Sequence, residues 1–278
     1  MLRTRVITAV TLLVILLAIL YLNSFPVLAI ALAVFLFAAT WESSRLFDAH
    51  SPRAGAAIWV FIFLLLVFQD ASLPQYGHRI TLLAALAVGI WALRLAPSLT
   101  LGLPPLDAMG NWVLSVVYGV ALLTCFIAMA ALFQHSALYF FSVMALVWLA
   151  DIGAYFAGKA FGKRKLAPSI SPGKSWEGVV GGWLAVVLLA SGSTFIPQLH
   201  DTFAVRVLSA WGWGGLLAVL TTVVAASVVG DLFESQLKRR VDRKDSSNLV
   251  PGHGGVLDRI DALVPVLPLA VFFAYWMP

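Results

Sequence analysis

Nine apolar runs, at 5–22, 25–41, 55–70, 79–96, 111–132, 136–158, 178–197, 209–232 and 256–277, take up most of this 278-residue chain. Each is close to the ~20 residues that an α-helix needs to cross a hydrocarbon core. The runs are continuous rather than alternating, which favours helices over a β-barrel, because only those two structures satisfy every backbone group in lipid. With 61% hydrophobic and only 11% charged residues, the composition lies far from that of a soluble domain. The expected fold is therefore all-α: a polytopic integral membrane helical bundle of about nine transmembrane helices. The opening MLRTRVITAVTLLVILLAILYL has a basic start and an apolar run without a small-residue cleavage site, and reads as a retained anchor and first span. No internal repeat or linker divides the chain, so 1–278 is expected to form one domain. Helices in 1–110 are expected to serve lipid access or a dimer surface, and 111–278 to be the catalytic region.

Orientation follows from the basic residues. With the N-terminus in the cytoplasm, all of the 18 lysines and arginines except Arg79 and Arg206 fall on the cytoplasmic side. The same alternation brings the two large polar loops, 159–177 and 234–259, to one face. Net charge is +5, but the basic residues sit in short loops between apolar runs, so anionic lipid and phosphate are the expected partners and nucleic acid is not. Cys125 is the single cysteine, which excludes an intramolecular disulfide.

The first loop begins in ADIGAYFAGK, where Asp151 is an acid in an apolar helix, either a site residue or a hydrogen-bonding group to a neighbouring helix. Gly153, Ala154, Ala157 and Gly158 suit close helix packing. Lys163, Arg164 and Lys165 read as anchors to lipid headgroups. Ser171-Pro-Gly-Lys174-Ser175 before Glu177 and a helix start can hold phosphate through amides, hydroxyls and a lysine, while Ser175 also suits a plain N-cap.

The second loop is denser. Asp231, Glu234 and Lys238 share one helical face, as do Asp258 and Asp261. Glu234 fits either a surface pair with Lys238 or part of a site, and the two later aspartates fit either a helix start or a metal site. Mg²⁺ commonly takes one or two carboxylates, with water and phosphate oxygens completing its shell. Between these acids lie Lys238, Arg239, Lys244, His253 and Arg259, with a glycine-rich turn at 251–255. Acids for a cation beside bases for phosphate are the components of phosphoryl or nucleotidyl transfer. No serine or cysteine stands beside a histidine base in sequence. A transporter or flippase for an anionic substrate is the alternative, although the repeats that such proteins often show are absent. Arg240, Asp242 and Arg243 read as solvated or headgroup-facing charge.

Ser235-x-x-Lys238-Arg239, Lys244-Asp245 and Pro251-x-His253-Gly254-Gly255-x-x-Asp258-Arg259-x-Asp261 together resemble the signature of the phosphatidate cytidylyltransferases, the CDP-diacylglycerol synthases. Ser171-Pro-x-Lys174-Ser175-x-Glu177-Gly178 is similar to that family's second motif. This chain departs at Ser175, where Thr is common, at Ser246-Ser247, where Phe-Gly is common, and at Val250, where Leu or Ile is usual.

The resemblance implies transfer of a cytidylyl group from CTP to phosphatidic acid, giving CDP-diacylglycerol and pyrophosphate. It also implies an active site facing the cytoplasm in the inner membrane, a homodimer, Mg²⁺ and a second, monovalent cation. The expected catalytic residues are Asp231, Lys238, Arg239, His253, Asp258 and Arg259. Ser171, Lys174, Ser175, Glu177, Lys244, Asp245, Gly254 and Gly255 are expected at CTP and the phosphates, and Asp231, Asp258 and Asp261 at the metal.

Overall fold

A computed structural model describes residues 10–11, 14–15, 17–19, 21–69, 77–252 and 254–277. The first expected span, 5–22, lies partly outside these residues, and His253 lies outside them.

The chain forms α1 (Phe25–Leu46), α2 (Pro52–Gln69) and α3 (His78–Ile90), which runs through a π-helical turn at Trp91–Leu95 into α4 (Ala96–Leu101). Then come α5 (Met109–His135) and α6 (Ala137–Phe161), a hairpin of β1 (Lys165–Ala167) and β2 (Ser171–Ser175), and α7 (Trp176–Ser193). A 3₁₀ turn at Pro197–Leu199 leads to α8 (Phe203–Arg240), α9 (Leu257–Ile260) and α10 (Leu263–Tyr275). Among the described residues, seven helical segments are long and apolar enough to cross a membrane, with α3 through α4 counted as one.

The expected ninth span departs from a continuous helix. The run 256–277 breaks after the four residues of α9, and α10 has only 13 residues, about 20 Å at 1.5 Å per residue. Pro265 contributes to the break, because it has no N–H to give the carbonyl of Asp261 four residues earlier. Elsewhere the helix outlasts the apolar run. α8 has 38 residues, with a kink at Gly212 (φ 65°, ψ −171°), and carries Asp231, Glu234 and Lys238 on one continuous helical stretch.

The core is built on α5, whose segment from Tyr118 to Phe133 is almost wholly buried and packs against α1, α3 and α10. Cys125 is part of it, fully buried. Between α6 and α7 the small residues do what their spacing implies. A Cβ on Gly182 would stand 2.5 Å from the Ala150 carbonyl oxygen, so the two backbones touch.

Two clusters mark opposite faces of the bundle. On one, the Arg240 guanidinium donates to the carbonyls of Leu46 (3.1 Å) and Pro104 (3.2 Å), Asn111 donates to those of Phe47 and Leu106, and Arg239 Nε donates to that of Ile170. The segments 46–51, 102–108, 162–175 and 241–256 therefore lie together, as the alternation of spans requires. On the other, His135 Nε2 and Asp201 Oδ1 are 2.9 Å apart, Ser136 Oγ donates to Asp201 Oδ2 at 2.6 Å, and Arg206 Nη2 donates to Asp201 Oδ1 at 3.1 Å.

Arg240 is a correction to its reading as solvated charge. It is half-buried, stacks on Phe47 with its guanidinium carbon 5.0 Å from the ring centroid, and ties two loops to the end of α8.

Candidate active site

The last turns of α8 carry the first part of the site. Glu234 and Lys238 stand one turn apart and form an ion pair. Of the two readings of Glu234, the pairing is present but its surface setting is not, since Glu234 is fully buried and the Lys238 side chain is 11% exposed. Lys238 Nζ also donates to Asp258 Oδ1 at 2.6 Å. Asp258 Oδ2 accepts from the Ser246 amide (2.9 Å), the Ser246 hydroxyl (2.8 Å) and the Gly255 amide (2.7 Å). Burial alone would raise the Asp258 pKa. The Lys238 contact and these donors outweigh it, holding the carboxyl below its ordinary value.

The turn before α9 uses its glycines as the sequence suggests. Gly252 and Gly254 have φ of 78° and 83°, the left-handed region that glycine enters without penalty. Val250 N–H donates to the Gly254 carbonyl at 2.8 Å, which closes the loop.

The hairpin supplies the second part. Lys174 on β2 forms an ion pair with Asp231 of α8, which holds the first loop to the helix leading into the second, and the Arg239 donation to the Ile170 carbonyl joins the two loops themselves. Ser235 Oγ donates to Asp231 Oδ1 at 3.3 Å. Ser175 is the N-cap of α7, accepting from the Gly178 amide at 3.2 Å. The Glu177 carboxylate accepts from the amides of Lys163 and Arg164 at 3.1–3.2 Å and holds the start of the hairpin to α7. Ser171 pairs with Ala167 at the far end of the hairpin.

Two cavities meet this cluster. One of about 410 Å³ is lined by Asp151, Lys159, Gly173, Lys174, Ser175 and Asp231 among others. The other, about 400 Å³, has mainly apolar walls from α1, α5 and α6, with Asp151, Asp258, Arg259 and Asp261 as its charged lining. Asp151 borders both. Lys244 and Asp245 are exposed on the loop, as is Arg239, whose Nη1 donates to the Arg243 carbonyl at 3.2 Å.

Among the described residues, no three acidic, histidine or cysteine side chains converge as a ready metal site. The donors fit a cation unequally. Asp258 is engaged by four donor contacts, which leaves it poorly suited as placed. Asp231 and Asp261 suit it better. Asp231 meets the Lys174 ammonium and the Ser235 hydroxyl, and Asp261 accepts from the Ala262 amide at one oxygen, so each keeps acceptor capacity for a cation.

One residue of the cluster is missing from the sequence reading. Glu42, near the end of α1, is fully buried, and its carboxylate accepts from Ser247 Oγ and the amides of Val256 (3.1 Å) and Leu257 (2.7 Å). A carboxylate at the end of an apolar run, in TWESSRL, is the signal that could have singled it out.

Seven membrane-length helices among the described residues, with a buried cluster of acids around Lys238 at the face where the basic loops gather, define an all-α polytopic integral membrane protein. The class narrows further by comparison. The chain belongs to the cytidylyltransferase family, whose model matches residues 3–277. It is similar to proteins named phosphatidate cytidylyltransferase from several bacteria. That of Haemophilus influenzae is 34% identical over 299 residues, covering 100% of both chains. That of Pseudomonas aeruginosa is 40% identical over 286 residues, covering 97% of this chain and 95% of its own.

Proposed function

We propose that this protein transfers the cytidylyl group of CTP to phosphatidate, giving CDP-diacylglycerol and pyrophosphate, from the cytoplasmic face of the bacterial inner membrane. Family membership and full-length similarity to phosphatidate cytidylyltransferases support the reaction. The distribution of basic residues supports the orientation. The structural observation that carries the reading is the shared border at Asp151. A cavity with Lys174 and Asp231 adjoins an apolar one with Asp258, Arg259 and Asp261, as a water-soluble nucleotide and a lipid phosphate require in order to meet.

A phosphate oxygen of the lipid attacks the α-phosphorus of CTP. The new P–O bond forms as the bond from that phosphorus to the oxygen bridging to the β-phosphate breaks, and pyrophosphate leaves with the electron pair. The lipid phosphate is itself the nucleophile, so no protein nucleophile is required. The barrier is the approach of two anions and the charge that builds on pyrophosphate. Lys174, at the nucleotide cavity, and Arg259, at the lipid cavity, lower it by neutralising phosphate oxygens. Lys238 holds Asp258 and Glu234 in place beside them. Asp231 and Asp261 would hold Mg²⁺, which when bound draws negative charge from phosphate oxygens.

The test is purified protein in mixed micelles of detergent and phosphatidate, supplied with labelled CTP. Equal amounts of labelled lipid and pyrophosphate are expected. Movement of phosphatidate across a vesicle membrane with no pyrophosphate released would favour a transporter and overturn the proposal.

A further inference from the structure

Glu42 joins two segments that lie more than two hundred residues away. Its Oε1 accepts from Ser247 Oγ and from the Val256 amide at 3.1 Å, and its Oε2 accepts from the Leu257 amide at 2.7 Å. The Ser246 hydroxyl has one proton and lies between two carboxylates, 2.8 Å from Asp258 Oδ2 and 3.3 Å from Glu42 Oε2. The fit around this carboxylate is tight. A Cβ on Gly255 would come within 2.4 Å of Glu42 Oε1 and 2.0 Å of Ser246 Oγ, so the close approach requires glycine there. Glu42 is fully buried, and a buried carboxylate persists where donors surround it.

The arrangement is one of relay rather than contact. The elements that Glu42 grips, the 246–247 turn and the start of α9, are those that supply the donors to Asp258 and carry Asp258 itself.

We propose that Glu42 is a positioning residue for the transfer reaction, fixing Asp258 against Lys238 by clamping the 246–247 turn to the start of α9. Helix α1 is thus a working part of the site as well as a wall of the lipid cavity. This rests on the proposed cytidylyl transfer. Glu42 itself lines neither of the two cavities.

The test uses the full-length purified protein in phosphatidate micelles, comparing wild type with Glu42→Gln, Glu42→Ala, Ser246→Ala and the double variant Glu42→Ala/Ser246→Ala. A misplacement of about 1 Å, even from a change remote from the reacting atoms, costs on the order of 10²-fold in rate. Glu42→Ala is expected to lose about that much kcat with the KM for CTP within about threefold, and Glu42→Gln, which keeps one acceptor oxygen, to recover part of it. Because both residues act through Asp258, the double variant is expected to lose little more than Glu42→Ala alone. Three results would each overturn the proposal: a wild-type kcat in Glu42→Gln, losses that multiply in the double variant, or activity that falls only in step with the folded fraction measured by thermal unfolding. If Glu42→Ala does not fold, Glu42→Gln, Ser246→Ala and their double variant decide the question by the same criteria. Failure of the wild type itself to release pyrophosphate would count against the reaction, and is thereby distinguished from failure of the positioning role.

Discussion

Lys238 Nζ lies 2.6 Å from Asp258 Oδ1 although 20 residues separate them, and the same ammonium pairs with Glu234 one turn earlier on α8. One cation is thus shared by two buried carboxylates at the point where the last long helix meets the loop that follows it. Removing the cation leaves both acids in a low-dielectric setting. Breaking a buried pair from one side costs about 3–5 kcal/mol, so Lys238→Met is expected to lower the unfolding temperature in detergent sharply and to abolish activity. A variant that unfolds at the wild-type temperature contradicts the pairing.

Arg240 should behave as a structural residue. Its guanidinium donates to the Leu46 and Pro104 carbonyls, and hydrogen bonds to a charged group contribute roughly 1.5–3 kcal/mol each when buried, less at a half-buried site such as this. Arg240→Ala is expected to lower stability by about 1–3 kcal/mol while leaving the KM for CTP unchanged. Equilibrium unfolding and steady-state kinetics on the same preparation check both halves.

Glu177 holds the amides of Lys163 and Arg164, which fixes the base of the hairpin that carries Lys174. Glu177→Ala frees that base, so the KM for CTP is expected to rise more than kcat falls. A fall in kcat at constant KM would mean instead that Glu177 acts in the chemical step.

On the opposite face, the Asp201 latch to His135, Ser136 and Arg206 makes stability depend on pH. Burial raises the Asp201 pKa, but the donations from Ser136 and His135 more than offset this and hold the folded value below the ordinary 3.8. The group therefore binds protons more readily in the unfolded chain. Its contribution is fully present above the unfolded value and is lost as pH falls through the folded one. Unfolding temperatures between pH 7 and pH 3 are expected to fall less steeply for Asp201→Asn than for wild type, from a lower starting point.

The parts that were legible in sequence are those set by local pattern. Apolar runs marked the long helices, spacing of three and four put Asp231, Glu234 and Lys238 on one helical face, and paired glycines marked the turn where Gly252 and Gly254 have positive φ. What escaped was set by packing between distant segments. Glu42 reaches Leu257 across 215 positions, and in one dimension a buried acid at the end of an apolar run looks like any interfacial one. Arg240 had the same charge density around it as its solvated neighbours, and only the fold brings the Leu46 and Pro104 carbonyls to it. The last span broke at Asp261-Ala262, where Pro265 has no N–H to give the Asp261 carbonyl, and a missing N–H does not register in a hydropathy reading.

The most direct test of the central claim is the yield of labelled CDP-diacylglycerol and pyrophosphate from CTP and phosphatidate, for wild type and Asp231→Asn. Asp231 is partly exposed and meets the hairpin through Lys174, so the amide is expected to keep the fold and the unfolding temperature. Wild type should form the two products in equal amounts, and Asp231→Asn should lose on the order of 10²-fold or more, as expected when a charge that orders the transition state is removed. Near-normal product formation by a correctly folded Asp231→Asn protein would contradict the account.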